Sequence, residues 1–310
     1  MKEYSSASTY TNKRPCVVTI GTFDGVHIGH RAILQRLVTT AQKEDLDSVL
    51  LTFFPHPRMV LQKEANIQLI NTIGERTEMM KKTGLDHLII HPFTQEFSRL
   101  TAMEYVRDIL ANTLNAKKII IGYDHRFGRN RTANIEDLRE FGRTYGFEVE
   151  EISAQELNEV AVSSTKIRKA LEAGDIETAN NFLGYPFMLS GTIAKGKGIG
   201  RTLDYPTANL SVSEEYKIIP KNGVYVVQAE ISGNLTYGIT SVGTNPTVGG
   251  THQTVETYFL DIDQDLYFKP MRIEFLTRIR NEETFDSIDI LKEAIRQDEA
   301  FARTYLKTHE

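Results

Sequence analysis

A change of pattern near residue 185 constrains the fold of this chain more than any other feature of its sequence. Before that point, short β-branched or aliphatic runs alternate with segments whose apolar residues recur at helical spacing. Strands that alternate with helices predict an α/β domain with a parallel, Rossmann-like sheet, whose ligands bind beyond the carboxyl ends of the strands. The runs are too short for helices, so we predict strands at Cys16–Ile20, Ser48–Phe54, His87–Phe93, Lys117–Gly122 and Phe147–Ile152.

Helical periodicity fills the gaps between these strands. One apolar face is formed by Ile33, Leu34, Leu37, Val38 and Ala41. Further helices are predicted at Thr101–Leu114, Ile135–Tyr145, Lys166–Glu172 and Ile176–Leu183.

After Gly184-Tyr185-Pro186 the pattern becomes one of strands separated by Gly, Asn and Pro turns. This pattern predicts an antiparallel, barrel-like second domain. An amphipathic segment, Ser287–Leu306, is expected to end the chain as a helix. We therefore predict domains at 1–185 and 186–310. The strands expected in the second domain are Met188–Ala194, Gly223–Ile231, Leu235–Val242, Thr254–Ile262 and Met271–Leu276.

Composition narrows the functional classes. A formal net charge of −5 provides no basic field, which disfavours nucleic acid as a partner. The one cysteine, Cys16, cannot form an internal disulfide and lies in an apolar run, so we expect a core thiol in a reducing compartment. The segment from Met1 to Arg14 is polar and lacks the apolar region of a signal peptide, and no apolar stretch approaches the ~18 residues of a membrane span. A cytoplasmic protein with no membrane partner is expected.

The strongest local motif is Gly21-Thr22-Phe23-Asp24-Gly25-Val26-His27-Ile28-Gly29-His30, at the first junction of strand and helix. Glycine at positions 21 and 25 lets the backbone approach a ligand closely. His27 and His30 are three residues apart at the first helical turn, so both rings can face one side. The amide groups and dipole of a helix N-terminus favour phosphate. The motif predicts a site that stabilises charge developing on phosphorus.

This spacing resembles the HxGH signature of the nucleotidylyltransferase superfamily, and the longer string resembles the FMN-adenylylating domain of bacterial FAD synthetases. Three later segments agree in order, namely Phe54–Arg58, Gly122–Arg131 and Val162–Arg168. The resemblance implies catalytic roles for His27 and His30, and flavin-binding roles for Phe54, His56 and Asp124. A rigid turn would explain His56, between two prolines, almost as well. ATP binding is implied for Gly21, Phe23, Asp24, Gly25, Ser163, Ser164, Thr165 and Arg168.

A second motif runs from Gly191 to Arg201 and continues as Asp204-Tyr205-Pro206-Thr207-Ala208-Asn209. It nearly matches a Walker A sequence, but Gly198 follows Lys197 where the magnesium-binding hydroxyl would stand, and the surrounding pattern is β. We therefore reject a P-loop NTPase. Glycines with Lys197 and Arg201 can still wrap phosphate, and Thr207 and Asn209 can both reach a hard cation from an extended segment.

Together these residues resemble the riboflavin kinase signature. The resemblance implies Glu256 as the base that accepts the proton of the ribityl hydroxyl, Thr207 and Asn209 as Mg²⁺ ligands, and Arg280 as a flavin contact. It also implies ATP binding by Gly196, Lys197, Gly198 and Arg201. Three positions depart from the usual pattern, because relatives often have an aromatic residue at His125, histidine at Tyr258 and glycine at Phe268.

The full resemblance, over roughly residues 16 to 305, is to the bifunctional riboflavin kinase/FAD synthetase family. It implies phosphorylation of riboflavin to FMN and adenylylation of FMN to FAD, with ATP, riboflavin and FMN as small-molecule partners and Mg²⁺ as cofactor. Two alternatives stay open, an enzyme with only one active half and a non-catalytic flavin- or nucleotide-binding regulator. Whether the chain forms a homo-oligomer is also left open.

Overall fold

The computed structural model describes residues 1–62, 67–123, 125–153, 162–196, 200, 205–247, 250–262 and 264–309. The chain divides into two compact units, Met1–Ser163 and Ser164–Glu310, called here the N-terminal and C-terminal units. The helices at Ser164–Ala173 and Ile176–Leu183 therefore belong to the C-terminal unit. The division lies before residue 185, where the pattern of the sequence changes, and 185 stays our prediction for the limit of the functional domains.

The N-terminal unit contains a six-stranded sheet in the order β1-β4-β3-β2-β5-β6, and every pair in it is parallel. The chain passes from β2 outward through β3 and β4, and then returns to the other side of β2 as β5. The carboxyl end of β2 is thus the switch point at which such sheets bind ligands. The strands are β1 (Lys2–Tyr4), β2 (Cys16–Ile20), β3 (Asp47–Phe53), β4 (His87–His91), β5 (Ala116–Gly122) and β6 (Glu148–Ile152).

Alternation along β2 explains how the helices cover both faces of this sheet. Cys16, Val18 and Ile20 belong to one buried cluster, while Val17 packs with Leu34 in the other. The helices are α1 (Ile28–Glu44), α2 (Pro57–Leu61), α3 (Ile73–Lys81), α4 (Ala102–Glu104), which continues as a π-helix at Tyr105–Thr113, and α5 (Ile135–Tyr145). Single 3₁₀ turns lie at Ala7–Thr9, Phe97–Arg99 and Arg129–Arg131.

The first residues of the chain extend this sheet, which the sequence did not predict. Lys2 and Tyr4 pair with His87 and Ile89 along the outer side of β4. Tyr10 then folds back with only 3% of its surface exposed. A strand of three residues is too short to show a periodic pattern, so its sequence does not predict it.

The C-terminal unit is a closed antiparallel barrel in the order β10-β11-β8-β7-β12-β9. Its strands are β7 (Phe187–Ala194), β8 (Ala208–Ser211), β9 (Gly223–Ile231), β10 (Asn234–Thr247), β11 (Gly250–Phe259) and β12 (Pro270–Arg280). Helices α6 (Ser164–Ala173) and α7 (Ile176–Leu183) precede the barrel, and α8 (Ile288–His309) follows it. The predicted α/β sheet, barrel and terminal helix are confirmed.

Helix α8 is fixed to the outside of the barrel by apolar and ionic contacts. Ala302 is fully buried in a cluster with Val224, Val226 and Ile239 of the barrel strands. Asp298 of α8 accepts two hydrogen bonds from the guanidinium of Arg280. Burial of Ala302 and the ion pair of Asp298 therefore both hold α8 against the barrel.

Candidate active sites

The loop between β2 and α1 has an unusual backbone. The φ angles of Phe23, Gly25 and Val26 are 49°, 89° and 35°. Positive φ is uncommon outside glycine, and for a β-branched residue such as Val26 it is an outlier. Such strain persists only where the surrounding structure enforces it, and it concentrates at functional sites.

A buried ion pair enforces this loop conformation. Arg76 of α3 donates a hydrogen bond from Nη1 to the Thr22 carbonyl oxygen (2.7 Å). Its Nη2 lies 3.9 Å from Asp24 Oδ1, and both side chains are 1% exposed. Asp24 Oδ1 also accepts the backbone N–H groups of Ile70 (2.9 Å) and Asn71 (3.3 Å). These contacts of Asp24 point into the protein and hold the loop, so its predicted contact with ATP stays a prediction.

Arg76 was not among the predicted residues because helix α3 was not predicted from the sequence. A signal for that helix was present, since Thr72 and Glu75 have the spacing of a capping box. In the structure the Thr72 hydroxyl accepts the Glu75 N–H (3.1 Å), and Glu75 Oε2 accepts the Thr72 N–H (2.9 Å). The capping box could therefore have located the start of α3.

The two predicted catalytic histidines lie side by side at the start of α1. Their rings stack with centroids 3.6 Å apart and planes inclined by 17°. His27 caps the helix, because its Nδ1 accepts the backbone N–H of His30 (3.3 Å). An Nδ1 that accepts a hydrogen bond places the proton of a neutral imidazole on Nε2. His27 therefore presents an Nε2–H donor.

Both imidazoles are neutral near pH 7. Burial, helped by the charge of Arg31, lowers the pKa of His27 to about 4. Burial also lowers the pKa of His30 far below its usual value, and the neighbouring His27 and Arg76 act in the same direction. Among the described residues His30 Nδ1 has no hydrogen-bond partner, although that atom is buried. The pair is thus a set of preorganised neutral groups with unused hydrogen-bonding capacity.

Gly21 leaves room for a neighbouring aromatic ring of this motif. A β-carbon there would lie 2.9 Å from the Phe23 ring. The Phe23 ring in turn packs against His30, with centroids 4.7 Å apart. Gly21 therefore lets Phe23 support the histidine pair.

The predicted flavin contacts in the N-terminal unit lie in different settings. Phe54 is half-buried directly after β3, and its N–H donates to the carbonyl oxygen of His91 (3.1 Å). His56 caps α2, because its Nδ1 accepts the N–H of Arg58 (3.1 Å). This cap fits the rigid-turn interpretation of His56. Asp124 lies outside the described residues, and its neighbour His125 stacks with Phe127 at 6.0 Å.

The predicted phosphate-binding segment begins a helix, as the sequence indicated. Helix α6 starts at Ser164, so Ser163 occupies the position before it. Thr165 is exposed in the first turn, and Arg168 is half-buried one turn later. Hydroxyl groups at a helix N-terminus suit an anion, but the role of all four residues in ATP binding stays a prediction.

In the barrel, three predicted reacting residues come together. Glu256 of β11 pairs directly with Asn209 of β8. Thr207 lies just before β8, and its Oγ1 donates to Glu256 Oε2 at 3.5 Å. The Glu256 side chain is half-buried and lies beside these two candidate metal ligands. The sequence alone could not show this, because β8 was not predicted.

The glycine-rich segment passes close to the same residues. A β-carbon at Gly196 would lie 2.3 Å from Asn209 Nδ2. One at Gly200 would lie 2.3 Å from the Tyr205 carbonyl oxygen and 3.3 Å from Thr207 Oγ1. These glycines therefore let the backbone cross directly over the candidate metal ligands. Lys197, Gly198 and Arg201 lie outside the described residues.

A cleft of about 830 Å³ opens beside this cluster, within the usual size range of ligand pockets. Its lining includes Lys195, Gly196, Thr207, Asn209, Tyr267 and Phe268. Within the described residues no group of three His, Cys, Asp or Glu side chains could hold a metal ion. Thr207 and Asn209 nonetheless fit Mg²⁺, which takes few protein oxygens and completes its shell with phosphate and water.

Arg280 has a structural contact that the sequence did not indicate. Its Nε and Nη2 donate to Asp298 Oδ1 (2.9 Å) and Oδ2 (2.8 Å) of α8. The Phe285 ring lies 5.5 Å from its guanidinium carbon. Burial raises the pKa of Asp298, although Arg280 opposes the change. The guanidinium thus fastens α8 to β12, and its predicted flavin contact stays a prediction.

Cys16 is fully buried, and burial raises the pKa of its thiol to about 12. A thiol with such a pKa is protonated and unreactive at neutral pH. The prediction that Cys16 is a core residue rather than a nucleophile is confirmed.

Two family models match this chain. The model described as FAD synthetase matches residues 9–166, and the model described as riboflavin kinase matches residues 183–306. The first match contains the histidine pair and the second contains the barrel cluster. The two halves of the chain therefore match two different enzymes, in the order that the motifs indicated.

Full-length relatives agree with these matches. A protein of Escherichia coli (strain K12), named bifunctional riboflavin kinase/FMN adenylyltransferase, is 35% identical over 94% of this chain and 92% of its own. One from Listeria monocytogenes with the same name is 33% identical over 93% and 92%.

A solved structure also aligns over nearly the whole chain. It is described as a macrolide-efflux protein from Streptococcus pneumoniae, with a TM-score of 0.89, 32% identity, and coverage of 97% of this chain and 98% of that one. In the part of the present chain that the structure describes, no helix has the length and apolar character needed to cross a membrane.

Proposed function

The chain belongs to the bifunctional riboflavin kinase/FMN adenylyltransferase family, and from this membership we propose which residues carry each reaction. Its activities are the phosphorylation of riboflavin to FMN and the adenylylation of FMN to FAD. The two reactions differ in their acceptors. One is a neutral alcohol and the other is a phosphate anion, so the two sites need different chemistry.

For the kinase reaction we assign Glu256 as the general base. The ribityl hydroxyl is hardly ionised at neutral pH, so its proton must be accepted as the bond to the γ-phosphoryl group forms. Thr207, which lines the cleft, donates to Glu256 Oε2 and so orients the carboxylate. Glu256 then holds the proton released by the hydroxyl, while the backbone at Gly196 covers the phosphates.

The oxygen donors of Thr207 and Asn209 would hold Mg²⁺ in this site. The backbone beside these two residues is glycine, at Gly196 and Gly200. It therefore leaves room for the phosphate oxygens that would complete the coordination of Mg²⁺. A bound magnesium ion would neutralise charge on the transferred phosphoryl group. Thr207 also orients Glu256, so it links the metal site to the base.

For the adenylyl reaction we assign His27 and His30 as donors to the α-phosphoryl group. The FMN phosphate has a second pKa of ~6, is mostly ionised at pH 7, and therefore requires no base. Neutral imidazoles that stack at the start of α1 can stabilise the developing charge without prior reorganisation. Ser163, Ser164, Thr165 and Arg168 are proposed to bind the ATP phosphates.

The observation that best supports this proposal is the position of Glu256 next to Thr207 and Asn209. The test is to supply riboflavin with Mg-ATP and separate the products over time. FMN should appear first and FAD should follow. Accumulation of FMN without FAD would instead support the single-activity alternative, and flavin binding without ATP consumption would support the regulator.

We also propose where in the cell the protein works and which molecules it binds. A single buried cysteine and the absence of a membrane-spanning helix from the described residues are compatible with our assignment to the cytoplasm. The partners are then riboflavin, FMN and ATP. Product analysis in a cell lysate depleted of membranes would test this assignment.

A further inference from the structure

Phe268 has two properties that are unfavourable for a residue with a purely structural role. It is the third residue of a β-turn closed by a hydrogen bond from the Lys269 N–H to the Leu266 carbonyl oxygen (3.2 Å), and its φ is 62°. Turns with a positive φ at this position normally take glycine. The side chain is also 68% exposed, the highest value among the large apolar residues of the described chain.

The backbone around Phe268 is nevertheless well fixed. Its N–H donates to the Ile193 carbonyl oxygen (2.8 Å), and the Ile193 N–H donates to the Lys269 carbonyl oxygen (3.1 Å). Asp265 Oδ1 accepts the N–H of Tyr267 (3.0 Å). The turn is therefore pinned to the end of β7, and the exposed ring is held at a defined place.

That place is the edge of the 830 Å³ cleft that also contains Thr207 and Asn209. The Lys195 ammonium lies 5.8 Å from the centroid of the Phe268 ring. An exposed aromatic face suits a planar base. The ammonium group of Lys195 suits phosphate, and the side-chain oxygens of Thr207 and Asn209 suit the metal ion that accompanies it. The cleft thus has an aromatic edge and a phosphate-binding floor, which together match a nucleotide.

We propose that Phe268 is a specificity-determining residue of the kinase site, on which the adenine base of the donor ATP stacks. This inference rests on the proposed function, because it requires that the cleft be the ATP site of the kinase. A stacked base would cover the exposed ring, which accounts for an aromatic residue in a backbone position that favours glycine.

The test compares Phe268→Gly and Phe268→Leu with the unmodified enzyme. Stacking of a base on an aromatic ring should make the KM for ATP in FMN formation rise about 5- to 150-fold in Phe268→Gly. The KM for riboflavin should change little. FAD formation from added FMN should be unchanged, which shows that the protein is intact. Leu235→Ala, which removes another exposed side chain of the barrel (57% exposed), should not affect the KM for ATP.

A second measurement uses the fact that the chain has no tryptophan. Phe268→Trp would introduce the only one, and stacking with adenine should quench its fluorescence when ADP and Mg²⁺ are added. Inorganic tripolyphosphate has no base, so it should compete with ADP without quenching. Its inhibition of FMN formation should be equal in Phe268→Gly and the unmodified enzyme.

Three outcomes would overturn the inference. The first is an unchanged KM for ATP in Phe268→Gly, and the second is a rise confined to the KM for riboflavin. The third is an equal weakening of the binding of ATP and of tripolyphosphate in Phe268→Gly. If the unmodified enzyme made no FMN, the proposed function itself would fail. The two failures are thus distinguishable.

Discussion

Thr207 Oγ1 lies 3.5 Å from Glu256 Oε2, so the residue that we assign to the metal also contacts the residue that we assign as base. Thr207 directly precedes β8, and Glu256 pairs with Asn209 across β11 and β8. Removal of the carboxylate should therefore affect proton transfer while leaving the fold of the barrel unchanged.

We expect Glu256→Gln to lower the rate of FMN formation by about 10²- to 10⁴-fold, the usual contribution of a general base. The amide keeps the size of the side chain but cannot accept the proton in the same way. Product analysis with riboflavin and Mg-ATP measures the loss, and FAD formation from added FMN should be retained. Glu230→Gln, at an exposed position of β9, serves as control. Equal losses in both variants would contradict the assignment.

Replacement of His30 by alanine should lower FAD formation by about 10²- to 10³-fold, because a preorganised donor to the α-phosphoryl group is lost. FMN formation should stay near normal. The two rates are measured separately with FMN and with riboflavin as acceptor. His309→Ala, which changes an exposed histidine of α8, should alter neither rate. A parallel fall of both activities in His30→Ala would rule out a site confined to adenylylation.

The buried ion pair should be coupled to the histidine loop. Breaking a buried pair by removing one partner costs about 3–5 kcal/mol, so Asp24→Asn and Arg76→Met should each destabilise the N-terminal unit by that order. The double variant should lose less than the sum of the two, because neither charge is then left alone. Urea unfolding of all four proteins measures the coupling. Strict additivity would mean that Asp24 and Arg76 act independently.

The N-terminal unit should lose stability as the pH falls from about 6.5 to about 4. The folded protein keeps His27 neutral down to about pH 4, whereas the unfolded chain binds a proton near pH 6.5. Within this window the unfolded state holds more protons, so the free energy of unfolding decreases by about 1.4 kcal/mol per pH unit for this residue. Urea unfolding of His27→Asn should show a shallower dependence. Identical slopes would mean that His27 is not buried as described.

Gly196→Ala should impair the kinase reaction selectively. Its new methyl group would lie 2.3 Å from Asn209 Nδ2, so the Asn209 side chain must move away from its position beside Glu256. We expect a higher KM for Mg-ATP in FMN formation. Gly233→Ala is the control, since a β-carbon there has nothing within 4 Å and its φ of 81° should cost only about 1 kcal/mol of stability. Similar kinetics in the two variants would contradict the close contact.

Much of the architecture was predictable because the strands of the parallel sheet are short, apolar and bounded by helical periodicity. The motif from Gly21 to His30 also located one site, since its residues are contiguous. The remaining features depend on tertiary contacts. Arg76 contacts Thr22 across 54 positions of the chain, and β8, with only four residues, shows no clear period. Neither the contact of Arg76 with the loop between β2 and α1 nor the pairing of Glu256 with Asn209 can be predicted from the local sequence pattern.

Strand β1 has a consequence for how this protein is handled. Its three residues cover the outer side of β4, whose unpaired backbone groups would otherwise form a template for a strand of another molecule. Tyr10 anchors the segment in the interior. Loss of the first ten residues would therefore expose β4 as an unpaired edge strand and favour self-association. An affinity tag joined to Met1 would begin directly beside a hydrogen-bonded strand.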